Sequence, residues 1–198
     1  MKQLNALNSM SVPSVIRQLK VFEKNSKMQN HSGEHIVSGL VHGMFGYDNV
    51  GFHMGKDAIT MDFNGVLTKD DLKVIEQKAN EAVAKNFDIE ILYPSQEELA
   101  EIVYRSKIEI EGQVRIVRFP GYDVCACCAP HMNKTGEIGL IKLLGLQNYK
   151  GGVRVSMLCG FRALADYNEK AEQVKSILDL REKSRTITSS VFRKETAQ

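Results

Sequence analysis

His31-Ser32-Gly33-Glu34-His35 places two imidazoles four residues apart, and far downstream Cys127-Cys128-Ala129-Pro130-His131 places a thiol and an imidazole at the same interval. On a helix, side chains four apart share a face, so His31 and His35 point to one side. Ring nitrogens with a cysteine sulfur form the donor set that zinc prefers. One histidine pair alone is most often structural. The same interval occurring twice in one chain turns the reading toward a metal site built from His31, His35, Cys127 and His131. The first run also matches the inverted zinc-protease pattern H-x-x-E-H, with Glu34 as general base. That pattern needs a third ligand on another helix and a larger chain around the cleft, and it leaves Cys127 and His131 unexplained.

The other cysteines and histidines read more plainly. Cys125 shares a strand face with Cys127, since both are odd-numbered, and reads as a small buried hydrophobe. Cys128 points the other way and Cys159 sits at a strand end, so neither is expected at a metal. His42 and His53 read as surface or pocket residues. Three cysteines crowded within positions 125–128 suit a reducing cytoplasm with free thiols better than a disulfide framework.

The elements must bring these distant pairs together. The chain has 198 residues, 43% hydrophobic and 25% charged, which is ordinary for a globular protein with one substantial domain. A net charge of +2 says little about partners. No apolar run is long enough to span a membrane, and the start of the chain lacks a secretory apolar segment. Val15, Ile16, Leu19 and Phe22 mark a short amphipathic helix, and Asn30 reads as the cap of a second one running to Met44. Strands follow at 50–54 and 58–63, joined by a hairpin loop at 55–57. Thr68 caps a helix with Leu72, Ile75, Ala79 and Ala82 along it. A short strand follows at 89–93, and Ser95 with Glu98 fits a capping box. From Ile108 the period changes to two, through Ile110, Val114 and Ile116. Further strands are expected at 124–127, 138–145 and 152–158. A helix runs from Gly160, and the tail after Lys183 reads as frayed. This order argues for an α+β fold, a mostly antiparallel sheet packed with helices, and neither a dinucleotide fingerprint nor a P-loop occurs.

These residues resemble a known family. Gln29 to Ile36 is similar to the HSxxH helix of alanyl-tRNA synthetase editing domains. Cys127 to His131, followed by Thr135-Gly136-Glu137-Ile138-Gly139, resembles the CxxxH and TGEIG segment of that family. Lys150 to Val155 with Cys159-Gly160 and Ala163-Leu164 resembles its closing strand and helix. The likeness covers residues 28–168, which leaves an N-terminal extension at 1–27 and a C-terminal helix and tail at 169–198. The chain looks like a free-standing alanyl-tRNA editing protein of the AlaX type, with a domain fold also found in threonyl-tRNA synthetases.

The resemblance implies zinc-dependent hydrolysis of the ester joining serine or glycine to tRNA(Ala), in trans and in the cytoplasm. It places zinc on His31, His35, Cys127 and His131. Glu137 either orients a ligand histidine or lies on a solvated strand, and it joins His31 and His35 as a candidate catalytic residue. Lys134, Lys142, Lys150 and Arg154 are candidate phosphate contacts for the tRNA end, with a solvated sheet edge as the plainer reading of each. Thr60 is a candidate reader of the serine hydroxyl, with a β-branched strand residue as the plainer one. Where the family carries Cys-Gly-Gly-Thr-His, this chain carries Cys-Cys-Ala-Pro-His, and its Pro-His ending is similar to threonyl-tRNA synthetase editing domains. The alternatives are therefore a Ser-tRNA(Thr) deacylase or a zinc-stabilised tRNA-binding module without catalysis.

Overall fold

A computed structural model describes residues 12–106 and 112–195. In chain order the elements are helix α1 (Val12–Phe45), strands β1 (Asn49–Met54) and β2 (Ile59–Phe63), and helix α2 (Lys69–Lys85). Strand β3 (Glu90–Leu92), helix α3 (Gln96–Glu101), and strands β4 (Ile116–Phe119) and β5 (Asp123–Ala126) follow. A 3₁₀ turn at Thr135–Ile138 leads into β6 (Ile141–Tyr149), β7 (Gly152–Cys159) and helix α4 (Gly160–Glu195). The chain divides into two compact units, Met1–Phe161 and Arg162–Gln198. The described part of the second is the continuation of α4.

The first unit holds two sheets, ordered β1-β2-β7-β6 and β3-β4-β5. Every pairing within them is antiparallel, so the fold is α+β as its element order predicts. Strand β2 alternates strictly, with Ile59, Met61 and Phe63 buried and Thr60 and Asp62 facing the other way. The buried side meets Val153, Val155 and Met157 of β7, and Ile36, Val37 and Val41 of α1 join the same core. Helix α2 adds Leu72, Ile75, Ala79 and Ala82, the one face expected from their spacing. Thr68 and Asp71 close its capping box, and Asn86, at φ 49°, ends it in the left-handed conformation. Ser95 and Glu98 form the second expected box, at the start of α3.

Three local expectations need correction. Asn30 does not begin a helix, because α1 runs unbroken from Val12 to Phe45. Its side chain instead accepts a hydrogen bond from the Cys159 N–H at 3.0 Å, a tertiary bond that outweighs the local capping preference. Ile138 ends a 3₁₀ turn that begins at Thr135 instead of starting a strand, and β6 begins only at Ile141, because the Glu137 carboxylate accepts from the Asn133 and Lys134 N–H groups and curls the backbone. The backbone beyond Lys183 stays helical to Glu195 instead of fraying. The alternation assigned to Ile108 and Ile110 lies outside the described residues.

Candidate metal centre

Helix α1 and the loop after β5 supply the four side chains. Gly33 and Gly39 set the position of the helix. A Cβ on Gly33 would collide with the sulfur of Cys159, and one on Gly39 with the carbonyl of Tyr122. Their bare backbone lets α1 lie against β7 and against the turn into β5. His31 and His35 then face the β5 exit, where Cys127 follows the last strand residue.

The loop is tied down on both sides. The Cys127 N–H donates to the Arg115 carbonyl at 3.1 Å, and the Arg115 guanidinium donates to the carbonyls of Cys127 and Ala129. The Met132 N–H donates to Ser32 Oγ at 3.0 Å, so the residue beside His31 on α1 holds the residue after His131. Glu137 caps the following turn, and Thr135 Oγ1 donates to the Ala82 carbonyl at 2.8 Å.

Together these place one ligand atom each from His31, His35, Cys127 and His131 within 4.8 Å of one another. Cys127 is half-buried and the three histidines are buried. His31 Nε2 lies 3.5 Å from Cys127 Sγ. A tetrahedral zinc with bonds of about 2.0 Å to nitrogen and about 2.3 Å to sulfur needs an edge of about 3.6 Å there. His35 Nε2 and both ring nitrogens of His131 are buried without a hydrogen-bond partner among the described residues. Buried polar atoms are rarely left so, and a shared cation satisfies the ligand nitrogens at once. The residues fit a metal ion.

The surroundings orient the rings and favour positive charge. His35 Nδ1 donates to Asp123 Oδ2 at 2.8 Å, which leaves Nε2 with its lone pair toward the cluster. Asp123 also accepts from Arg105 Nε and Nη2, both at 2.8 Å. Burial pushes the Asp123 carboxyl up, but His35 and Arg105 outweigh it and hold it below the usual carboxylate range. His31 Nδ1 lies 3.3 Å from the Pro130 carbonyl, which fixes that ring the same way. Burial opposes charge on His35, yet Glu34 and Asp123 overcome it and hold its pKa well above the ordinary value. Burial likewise pushes the Cys127 thiol up, but the adjacent rings of His131, His31 and His35 outweigh it and bring its pKa down to about 3. Burial, joined by the His35 and His31 rings nearby, holds His131 below its usual range against the pull of the Cys127 sulfur. A divalent ion meets the demand for positive charge that a proton on His35 otherwise meets.

Several candidate residues lie elsewhere. Thr60 is registered with His53 and Ser156 on the outward face of its sheet. Phe52, whose ring stacks with His31 at 5.8 Å, is registered with Met61 on the opposite face. Alternation therefore turns Thr60 away from the cluster. Lys142 pairs with Glu76 at 2.8 Å. Arg154 grips Asp62 through two bonds and lies 3.8 Å over the Tyr149 ring. Lys134 pairs with Asp88 at 3.3 Å. Glu137 is exposed and bound to backbone N–H groups near His131, not to a histidine ring.

Asp123 and Arg105 were not among the candidates. The alternation that links Cys125 to Cys127 also selects Asp123, so that signal was present. Nothing local marks Arg105. Glu34, Ser38 and Asn49 form a second buried network: Ser38 Oγ donates to Glu34 Oε1 at 2.8 Å and Asn49 Nδ2 donates to the same oxygen at 2.6 Å. It holds the helix at Glu34, between His31 and His35.

Residues 114–156, which include Cys127 and His131, match the family described as the threonyl and alanyl tRNA synthetase second additional domain. The chain is 28% identical over 156 residues to alanyl-tRNA editing protein AlaX-L of Pyrococcus horikoshii, covering 77% of this chain and 39% of that protein. It is 34% identical over 136 residues to alanyl-tRNA editing protein AlaX-M of Saccharolobus solfataricus, covering 65% of this chain and 56% of that one. It is 29% identical over 181 residues to an alanine–tRNA ligase of Thermofilum pendens, covering 83% of this chain and 20% of the ligase. The chain thus spans well under half the length of the first and last of these relatives. With four groups of metal-ligand type converged and the synthetase additional domain matched around two of them, this chain is similar to the alanyl-tRNA editing proteins.

Proposed function

We propose that this chain is a zinc-dependent aminoacyl-tRNA deacylase that removes serine or glycine from tRNA(Ala) in trans, with residues 28–168 as the editing unit. The observation that carries the reading is the convergence of three buried histidines and one thiolate, with ring nitrogens left unpartnered, in a chain similar to alanyl-tRNA editing proteins. His31, His35, Cys127 and His131 hold the ion. When bound, zinc supplies Lewis acidity, which polarises an ester carbonyl or acidifies a water. The protein's own part is orientation. Asp123 fixes the tautomer of His35, the Pro130 carbonyl fixes that of His31, and Glu137 acts as a positioning residue by shaping the backbone beyond His131. The ester is already activated, so placing water and substrate suffices. Hydrolysis breaks the acyl–oxygen bond, gives the free amino acid, and returns a proton to the ribose hydroxyl.

A second reading has its own support: four protein donors resemble a closed structural zinc site, and a non-catalytic tRNA-binding module would use one. Deacylation assays with Ser-, Gly-, Ala- and Thr-charged tRNA(Ala) and tRNA(Thr) test the first. Rapid loss of Ser-tRNA(Ala) with Ala-tRNA(Ala) spared is expected. Hydrolysis of Ser-tRNA(Thr) alone reassigns the tRNA, and sparing of every mischarged substrate at full metal loading ends the enzymatic reading. A chelator separates the two roles. Lost activity with retained far-UV circular dichroism marks catalysis, and unfolding marks a structural ion.

A further inference from the structure

We infer that the exposed first half of α1 is a track for the phosphates of a single-stranded RNA 3′ end, leading it to the metal centre; this rests on the deacylase reading. Arg17, Lys20, Lys24 and Lys27 follow a three-four-three spacing that continues to His31. On an α-helix all four lie within about 40° of His31 around the axis, at rises of about 6, 10, 16 and 21 Å from it. Successive intervals are on the order of one nucleotide step, as a cationic groove following a single strand requires.

The row ends at an opening of suitable kind. Lys20, Lys24, Lys27 and His31 line one cavity of about 380 Å³ with Met54 and Pro130, and Glu23 is the one carboxylate among its lining residues. Its apolar walls suit a base and its rim suits phosphate. The middle of the row is open to a ligand. Lys20 and Lys24 are exposed and meet no carboxylate among the described residues, and Lys27 pairs only with the exposed Glu23, at 2.7 Å. Lys134, Lys142 and Arg154 are by contrast held by acidic partners. The helix is continuous from Val12 to Phe45, so cations and ligand histidines keep a fixed spacing.

The test measures binding of the full chain to an RNA hairpin with a four-nucleotide single-stranded 3′ overhang, against a blunt hairpin, across a salt series. The wild type is expected to prefer the overhang. K20Q/K24Q, on an exposed helix that tolerates glutamine, is expected to bind it roughly tenfold more weakly, with a salt slope smaller by about 1.4 and unchanged metal content. K20R/K24R is expected to restore both. With Ser-tRNA(Ala) as substrate the glutamine variant is expected to raise KM and leave kcat unchanged. Unchanged affinity and slope in K20Q/K24Q overturn the track, whatever hydrolysis does. Weakened overhang binding by a protein that hydrolyses no mischarged tRNA upholds the track and ends the deacylase reading alone.

Discussion

His35 is held through Nδ1. The Asp123 carboxylate accepts a hydrogen bond from its Nδ1–H, Arg105 braces Asp123 through two bonds, and Nε2 is left for the cluster of Cys127 and His131. Replacing Asp123 by Asn keeps the shape but removes the charge that fixes the tautomer. D123N is expected to lower zinc affinity by about 10- to 100-fold while the fold persists, as measured by chelator competition alongside circular dichroism. His131→Ala, which deletes a buried donor outright, is expected to reduce both metal content and hydrolysis; unchanged values for both would remove His131 from the site. At this scale much was legible. The paired intervals mark the four side chains that the fold brings together, because ligand chemistry restricts residue type and helix or loop geometry restricts spacing. Their support was legible only where a strand period reached it, as at Asp123. Arg105 reaches Asp123 across a break in chain order that no local pattern encodes. Lys142 and Arg154 show the reverse problem, since a sequence shows a cation and not the carboxylate folded against it.

At the scale of elements, α1 works through its close approaches. Gly39 lies against the Tyr122 carbonyl, immediately before the residue that binds His35. A methyl group there forces the helix and the turn apart. Gly39→Ala is expected to destabilise the protein by about 1–3 kcal/mol in urea unfolding, and to weaken metal binding, because the strain falls between α1 and β5. Thr68→Ala removes a cap remote from the site and is expected to cost about 1 kcal/mol with metal affinity unchanged. The capping boxes at Thr68 and Ser95 were readable because they are closed within one turn. The continuity of α1 was not. Asn30 carries a strong local signal for a helix start, yet its carboxamide is spent on the Cys159 backbone. The 3₁₀ turn at Thr135–Ile138 was missed for a related reason: apolar Ile138 fits a strand pattern, and only the Glu137 bonds to preceding N–H groups bend the chain there.

At the scale of the molecule, the antiparallel α+β architecture followed from element order, whereas the arrangement of strands into two sheets did not. Sheet order depends on which strands meet after long connections, and β2 pairs with β7 across most of the first unit. The candidate metal centre joins α1 to the loop beyond β5, so an ion bound there would link binding to global stability. An ion that binds only the folded state at one hundred times its dissociation constant stabilises by about 2.7 kcal/mol. Zinc is therefore expected to raise the melting temperature in a concentration-dependent way, seen by scanning calorimetry, and H131A is expected to abolish the increment. No helix among the described residues is long and apolar enough to cross a membrane.

A rod without a joint converts sequence length into distance. Four extra residues inserted after Lys24 would carry the outer cations about 6 Å farther from His31 and turn them by about 40°, so they would stay on nearly the same side. One extra residue would instead swing them about 100° around the axis. The protein would then act as a gauge for overhang length: the longer insertion favours a tail with one more nucleotide, and the shorter one abolishes the preference.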